Sequence, residues 1–278
     1  MSPAICHGLR ALGVPVVCID ARQAHQSLKA MRANKTDPHD AAGLAQLAKT
    51  GFYKEVHVKS PTAHGVRGVI TARNHLVEAR MRLDTMIRGQ CATFGLKPGP
   101  GQGKAFIDRV MEAANMPGLG QSIPALLSVR TRILEQIREM DRTLCEIANR
   151  SQSRQRLRSI PGVGVQTSAA FAAAVDEAGR FPRSRTTGAY FRLVPRPHQS
   201  GEVDWTGRIT KQGDSMVRKL LYEAANSILT RSRGNFALKA WALKIAKRRG
   251  LRKARVALAR RLAVIMHAML RDGTLFQA

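Results

Sequence analysis

Apolar positions in the first sixty residues change period over short distances. Val14-Pro-Val-Val-Cys-Ile19 is a compact apolar run of strand length, with Pro15 near its start, where a sheet tolerates proline. Around it the pattern predicts helices over residues 3–12, 21–32 and 37–50, and Tyr53 to Val58 reads as a short strand or an extended exit. The α/β alternation stops at Pro61. Beyond it Val69, Leu76 and Leu83 recur every seven residues, with Ile70, Val77 and Ile87 beside them, so residues 62–94 read as one long amphipathic helix. Pro98-Gly-Pro-Gly-Gln-Gly103 breaks it. A second helical stretch runs from about 123 to 150 and carries Leu126, Ile133, Ile137, Met140, Leu144 and Ile147. From Ile133 on, the alternating steps of four and three are those of a coiled-coil seam. Each helix alone also fits ordinary packing on a core. Two across a Gly/Pro break predict an antiparallel hairpin or a dimerising one.

Further on, Ser159-Ile-Pro-Gly-Val-Gly164 opens onto an alanine-rich helix over 165–175. A loop-rich stretch containing Ser200 follows, then helices over 214–231 and 236–270, the latter broken near Gly250. The expected organisation is therefore an α/β part over 1–60, a helical coiled-coil region over 61–152, and a mostly α C-terminal domain over 153–278. The last carries a helix-hairpin-helix-like element at Ile160–Gly164.

Charge narrows the choice of partner. The 278 residues carry 46 Lys+Arg against 19 Asp+Glu, a formal net charge of +27. Between residues 208 and 261 stand 16 Lys/Arg, with Asp214 and Glu223 as the acids. So concentrated an excess favours a polyanion, and nucleic acid fits better than an anionic membrane surface. No apolar stretch is long enough to span a bilayer and no secretory signal is evident. Cys6, Cys18, Cys91 and Cys145 are scattered without a C-x-x-C pair, and read as small buried residues in a reducing cytoplasm.

Four places could carry chemistry. In Lys35-Thr-Asp-Pro-His-Asp40 a capped helix start is the simplest reading, with Pro38 in the first turn. The same spacing puts Asp37 and Asp40 on one helix face, where two carboxylates suit Mg²⁺ together with phosphate oxygens and water. Glycines in Ile160-Pro-Gly-Val-Gly164 serve a turn between packed helices, or leave backbone N–H groups of Gly162 and Gly164 to face a phosphate at the next helix N-terminus. Lys247, Arg248 and Arg249, followed by Arg252, Lys253 and Arg255, lie on helices whose other face (Val256, Leu258, Leu262, Ile265) is apolar. At that density phosphate contact outweighs a merely solvated face. Trp205, Tyr190 and Trp241 are core residues or platforms for bases. Finally, Ser200 and Gly201 sit near Arg196, His198, Arg208 and Lys211. That neighbourhood suits a turn, or equally a serine attacking a DNA phosphate whose charge the cations stabilise.

Together, Lys35–Asp40, the long helical region, Ile160–Gly164, and Ser200-Gly201 with Gly207-Arg-Ile-Thr-Lys-Gln-Gly213 resemble the transposases of one insertion-sequence family. These combine a four-acid (DEDD) RNase H-like domain, similar to Holliday-junction resolvases, with a C-terminal domain bearing a catalytic serine. The resemblance covers nearly the whole chain. It implies a recombinase of double-stranded DNA, guided by a structured element-encoded (bridge) RNA and acting as a dimer or tetramer whose sites draw on different protomers. By carry-over, Asp37 and Asp40 match the last two acids and hold Mg²⁺, and Ser200 matches the nucleophile. The family's first two acids have no counterpart here, since Asp20 fits a later strand than the first. The resemblance thus implies an incomplete RNase H-like domain, truncated at its N-terminus, and a chain inactive as it stands. A non-catalytic basic nucleic-acid-binding module is the alternative, with Ser200 a turn residue and the aspartates caps.

Overall fold

Three short helices and a single β-bridge make up the first sixty residues of the computed structural model, which describes residues 2–31, 36–210 and 213–277. The helices are α1 (Ser2–Ala11), α2 (Ala21–Met31) and α3 (Asp37–Thr50). Helix α2 starts where Asp20 accepts from the backbone N–H groups of Arg22 (2.9 Å) and Gln23 (3.0 Å). Helix α3 starts where Thr36 Oγ1 accepts from His39 N at 3.4 Å, and ends at Gly51 in the left-handed region (φ 66°). The expected strand at Val14–Ile19 is instead an extended segment. Its bridge pairs Ile19 with Glu55, flanked by Asp20 N→Lys54 O (2.9 Å) and Val56 N→Cys18 O (2.7 Å). A strand needs a neighbour along its length to fill its ladder, and these few residues supply only one rung. Val14 and Val17 are correspondingly exposed, while Cys6, Ala24, Leu28 and Leu47 form the small interior. Residues Met1–Ser60 are a compact unit by themselves.

Pro61–Ala278 form the second unit. Helices α4 (Pro61–Thr93) and α6 (Ser122–Asn149) run antiparallel, with α5 (Lys104–Glu112) between them in sequence. Their buried positions are Ala63, Val66, Ile70, Asp84, Ile87 and Cys91 on α4, and Ile123, Leu127, Arg130, Ile137, Leu144 and Ala148 on α6. Val69, Leu76 and Leu83, the heptad read from the sequence, lie half-buried at the flank of this stripe. The offset has a physical cause. Asp84 and Arg130 occupy seam positions as a buried ion pair (2.6 Å), and Arg73 pairs with Asp141 (2.5 Å), so charged residues interrupt the apolar signal. The two pairs are eleven residues apart on each helix, three turns, and therefore share one face.

Helices α7 (Gln152–Leu157) and α8 (Val165–Val175) follow, then α9 (Thr186–Tyr190), an antiparallel pair β1 (Pro195–Ser200) and β2 (Val203–Ile209), and α10 (Ser215–Thr230), α11 (Ala237–Arg249) and α12 (Leu251–Asp272). Helix α8 is the centre of the core, with every residue from Thr167 to Val175 buried except the half-buried Ala172. Alanine side chains let α4, α6, α7 and α10 approach it closely. The fold is mainly α, with two strands among the described residues. The loop expected around Ser200 is a β-hairpin. Its first strand is prolines and polar residues with no apolar alternation, and the alternation of β2 is confined to Val203-Asp-Trp-Thr206, too short for period alone to announce a hairpin.

Candidate functional site

Asp37 and Asp40 both fall in the first turn of α3, Asp37 exposed and Asp40 half-buried. Among the described residues no group of three or more His, Cys, Asp or Glu side chains is placed to hold a metal. Asp20 serves α2 as its cap, and the two backbone donors hold its carboxyl below the ordinary value. Lys35 lies outside the described residues.

Gly162 and Gly164 have different surroundings. Gly162 has φ +83°, and a Cβ there would stand 3.0 Å from both Ala224 O and Ile228 Cγ1, so the turn is pressed onto α10. Gly164, at the N-cap of α8, has ordinary φ (−90°), no side-chain cap, and open space where a Cβ would be. Leu157, Ile160 and Val163 are buried around it, and Val163 N→Ile160 O (3.0 Å) closes the turn. Both glycines are exposed, and of the pair only Gly164 has room for a Cβ.

Ser200 ends β1 and is exposed. It pairs with Val203 across the two-residue turn Gly201-Glu202, in which only Gly201 has positive φ (56°), the pattern of a type II′ turn. No Cβ crowds the approach to Ser200 from Gly201. Arg196 stands on β1, four residues before Ser200, and Arg208 on β2, eight residues after it, but their side chains, with that of His198, are outside the described ones; Lys211 is outside the described residues altogether. Asp214 caps α10, accepting from Val217 N at 3.1 Å, and forms an ion pair with Arg67 of α4.

Lys247, Arg248 and Arg249 form the last turn of α11 and are exposed. Gly250 (φ 82°) turns the chain into α12, where Arg252 and Lys253 are exposed too. The cations thus gather at one corner, while Leu258 and Leu262 are buried behind them. Arg255 is drawn inward to Tyr222 Oη (3.3 Å), and Arg261 lies 5.8 Å over the Trp241 ring. Tyr190 is engaged edge-on by Phe181 and Phe191, with Arg180 over its ring. Trp205 on β2 is 53% exposed.

Sequence reasoning missed His267. It is fully buried, with Nε2 3.0 Å from Ala178 O and Nδ1 3.0 Å from Ser184 Oγ. The carbonyl can only accept, so Nε2 carries the proton and Ser184 donates to Nδ1. Burial pushes its pKa below the ordinary histidine value. An isolated histidine in an apolar helix gave no signal beyond its place among Ile265, Met266 and Met269.

A model of the IS116/IS110/IS902 family of transposases matches residues 154–240, and one of DEDD transposases of the IS110 type matches residues 1–93. The transposase for insertion sequence element IS1111A of Coxiella burnetii is 31% identical over 266 residues, covering 93% of this chain and 72% of the relative. The chain belongs to this family of insertion-sequence transposases. A second relative, named "Probable family 20 transposase" in Pseudomonas aeruginosa, is 30% identical over 254 residues, covering 89% of this chain and 75% of its own. The transposase for insertion sequence element IS1328 of Yersinia enterocolitica is 26% identical over 254 residues. Membership makes the chain a DNA transposase at family level. Asp37 and Asp40 fall within the first matched segment, and Gly162, Gly164 and Ser200 within the second. Lys247, Arg248 and Arg249 lie beyond both.

Proposed function

We propose that this transposase cuts and rejoins DNA with Ser200 as its nucleophile. The observation that carries the reading is the placement of Ser200: exposed, at the tip of a hairpin whose turn begins with an unencumbered glycine, inside the segment matched by the transposase family. Ser200 Oγ attacks a DNA phosphorus and loses its proton to a base. One P–O bond to deoxyribose breaks, and the departing oxygen takes up a proton as a free hydroxyl. A strand hydroxyl later attacks the phosphoserine, which restores both the phosphodiester and Ser200, so no external energy source is needed.

Arg196, Arg208 and Lys211 are assigned to the DNA backbone around the reacting phosphate, arginine being the better bidentate partner. Gly164 and the N-terminus of α8, and the Lys247–Arg249 corner, hold more distant phosphates; Gly162 sets the turn that presents Gly164.

The resemblance to DEDD enzymes assigns a divalent cation, Mg²⁺, to Asp37 and Asp40 in an RNase H-like part of the chain. The two residues fit it as a partial ligand set: both in the first turn of α3 and on one helix face, Asp37 exposed and Asp40 half-buried, and of the hard-oxygen type Mg²⁺ takes. Bound there, the ion supplies charge neutralisation at a phosphate. Guidance by a structured RNA and assembly of sites from several protomers complete the reading.

Covalent trapping tests it. The full chain is incubated with element-end DNA, the cognate non-coding RNA and Mg²⁺, then denatured. A protein–DNA adduct that disappears in Ser200→Ala supports the serine. DNA binding without any adduct supports the non-catalytic module instead.

A further inference from the structure

Trp205 is the one large aromatic side chain on the Ser200 hairpin, and it is 53% exposed. The register fixes its place. Ser200 pairs with Val203 and His198 with Trp205, without a bulge between these pairs. Alternation along a strand then puts Ser200 and Trp205 on the same face, as diagonal neighbours roughly 7 Å apart. Gln199 and Asp204 pair with each other and take the opposite face. The hairpin thus presents a hydroxyl and an indole on one side and its strand acid on the other.

An exposed tryptophan has an unfavourable apolar surface to cover, and the charge of the chain, +27 in all, narrows the choice of cover. The segment from residue 208 to 261 carries 16 Lys/Arg against two acids, which favours a polyanion over an apolar protein partner. Within a nucleic acid, the group that matches an indole face is a base, and it is accessible only where the strand is unpaired or unstacked. We infer that Trp205 is a stacking platform for an unpaired base of the DNA strand held at the Ser200 hairpin. This rests on the reading that the hairpin receives DNA, and it adds a preference for locally opened strands.

The chain has two tryptophans, so Trp241→Phe leaves Trp205 as the sole indole emitter. In that protein, also carrying Ser200→Ala, Trp205 emission is followed during titration with a labelled single-stranded oligonucleotide and with the same sequence as a blunt duplex. Anisotropy of the label reports binding independently. The expected result is quenching that saturates together with the anisotropy for the single strand and is smaller for the duplex. Trp205→Ala should weaken single-strand binding about tenfold and duplex binding by no more than about twofold, with Trp205→Phe restoring most of the loss. Emission that stays constant while anisotropy saturates overturns the proposal, as does single-strand binding unaltered in Trp205→Ala. The two readings separate cleanly. A Ser200 adduct with unresponsive Trp205 removes the platform and keeps the nucleophile; quenching without an adduct does the reverse.

Discussion

Arg130 donates to Asp84 across the helical hairpin at 2.6 Å, with both side chains almost wholly buried. Arg130 also donates to Gln102 O (2.9 Å) and lies over the Phe106 ring, so one guanidinium ties α4, α6 and the Pro98–Gly103 break together. Arg80 approaches the second Asp84 oxygen at 3.9 Å. Removing one member strands a buried charge. Asp84→Ala or Arg130→Ala should each lower stability by about 3–5 kcal/mol, whereas a well-packed apolar pair such as Asp84→Leu with Arg130→Met should recover most of it. Chemical denaturation of the three variants checks this; equal losses in single and double variants would contradict it.

Gly162 and Gly164 should separate stability from binding. Gly162→Ala combines a left-handed φ with a 3.0 Å approach to the α10 backbone, and should cost about 2 kcal/mol or more. Gly164→Ala meets neither obstacle and should cost about 1 kcal/mol or less. If α8 receives a phosphate there, Gly164→Ala weakens DNA binding in a protein that still unfolds at nearly the parental temperature.

The basic corner makes a prediction about salt. Lys247, Arg248 and Arg249 are exposed, so changing all three to alanine should leave the fold intact. For every phosphate that these side chains neutralise in the parent protein, the log–log salt dependence of DNA binding should flatten by about 0.9 in the variant. Titrations at several salt concentrations read the slope directly, and an unchanged slope would place the corner away from DNA.

His267 gives the core a pH dependence. In the unfolded chain its imidazole takes a proton near pH 6.5, whereas burial, and more weakly Arg271 and Arg180, hold the folded value lower; Ala178 O and Asp272 act in the opposite direction. Between the two values the unfolded state binds more protons, so its stabilising contribution is complete above about pH 6.5 and is lost as pH falls toward the folded value. His267→Gln should flatten that part of the stability–pH curve. A slope the same as the parental one would assign the effect to other groups.

Much of this architecture was legible in the chain, for reasons that can be named. Helix α3 was marked at both ends by Thr36, Pro38 and Gly51, and α8 by Gly164 and its alanines. Length and period marked α4 and α6, yet their true seam was hidden because Arg73, Asp84, Arg130 and Asp141 sit where apolar residues would announce it. The hairpin was missed because Pro195-Arg-Pro-His-Gln-Ser200 has neither alternation nor β-branched residues. Its strands are a matter of turn geometry at Gly201, not of a buried face. For the site, Ser200, Asp37 and Asp40 were picked out by type and neighbours. What sequence could not reveal was that Gly162 and Gly164 differ in surroundings, or that Trp205 shares a face with Ser200, because both depend on register and on packing from distant elements.

The most direct test of the central assignment is peptide mapping of the trapped protein–DNA adduct by mass spectrometry. After nuclease and protease digestion, the account predicts a nucleotide-phosphate mass attached to the peptide that contains Ser200, with fragment ions placing it on Ser200 itself. The same mass on any other residue, or on a peptide from the Ser200→Ala protein, would contradict it.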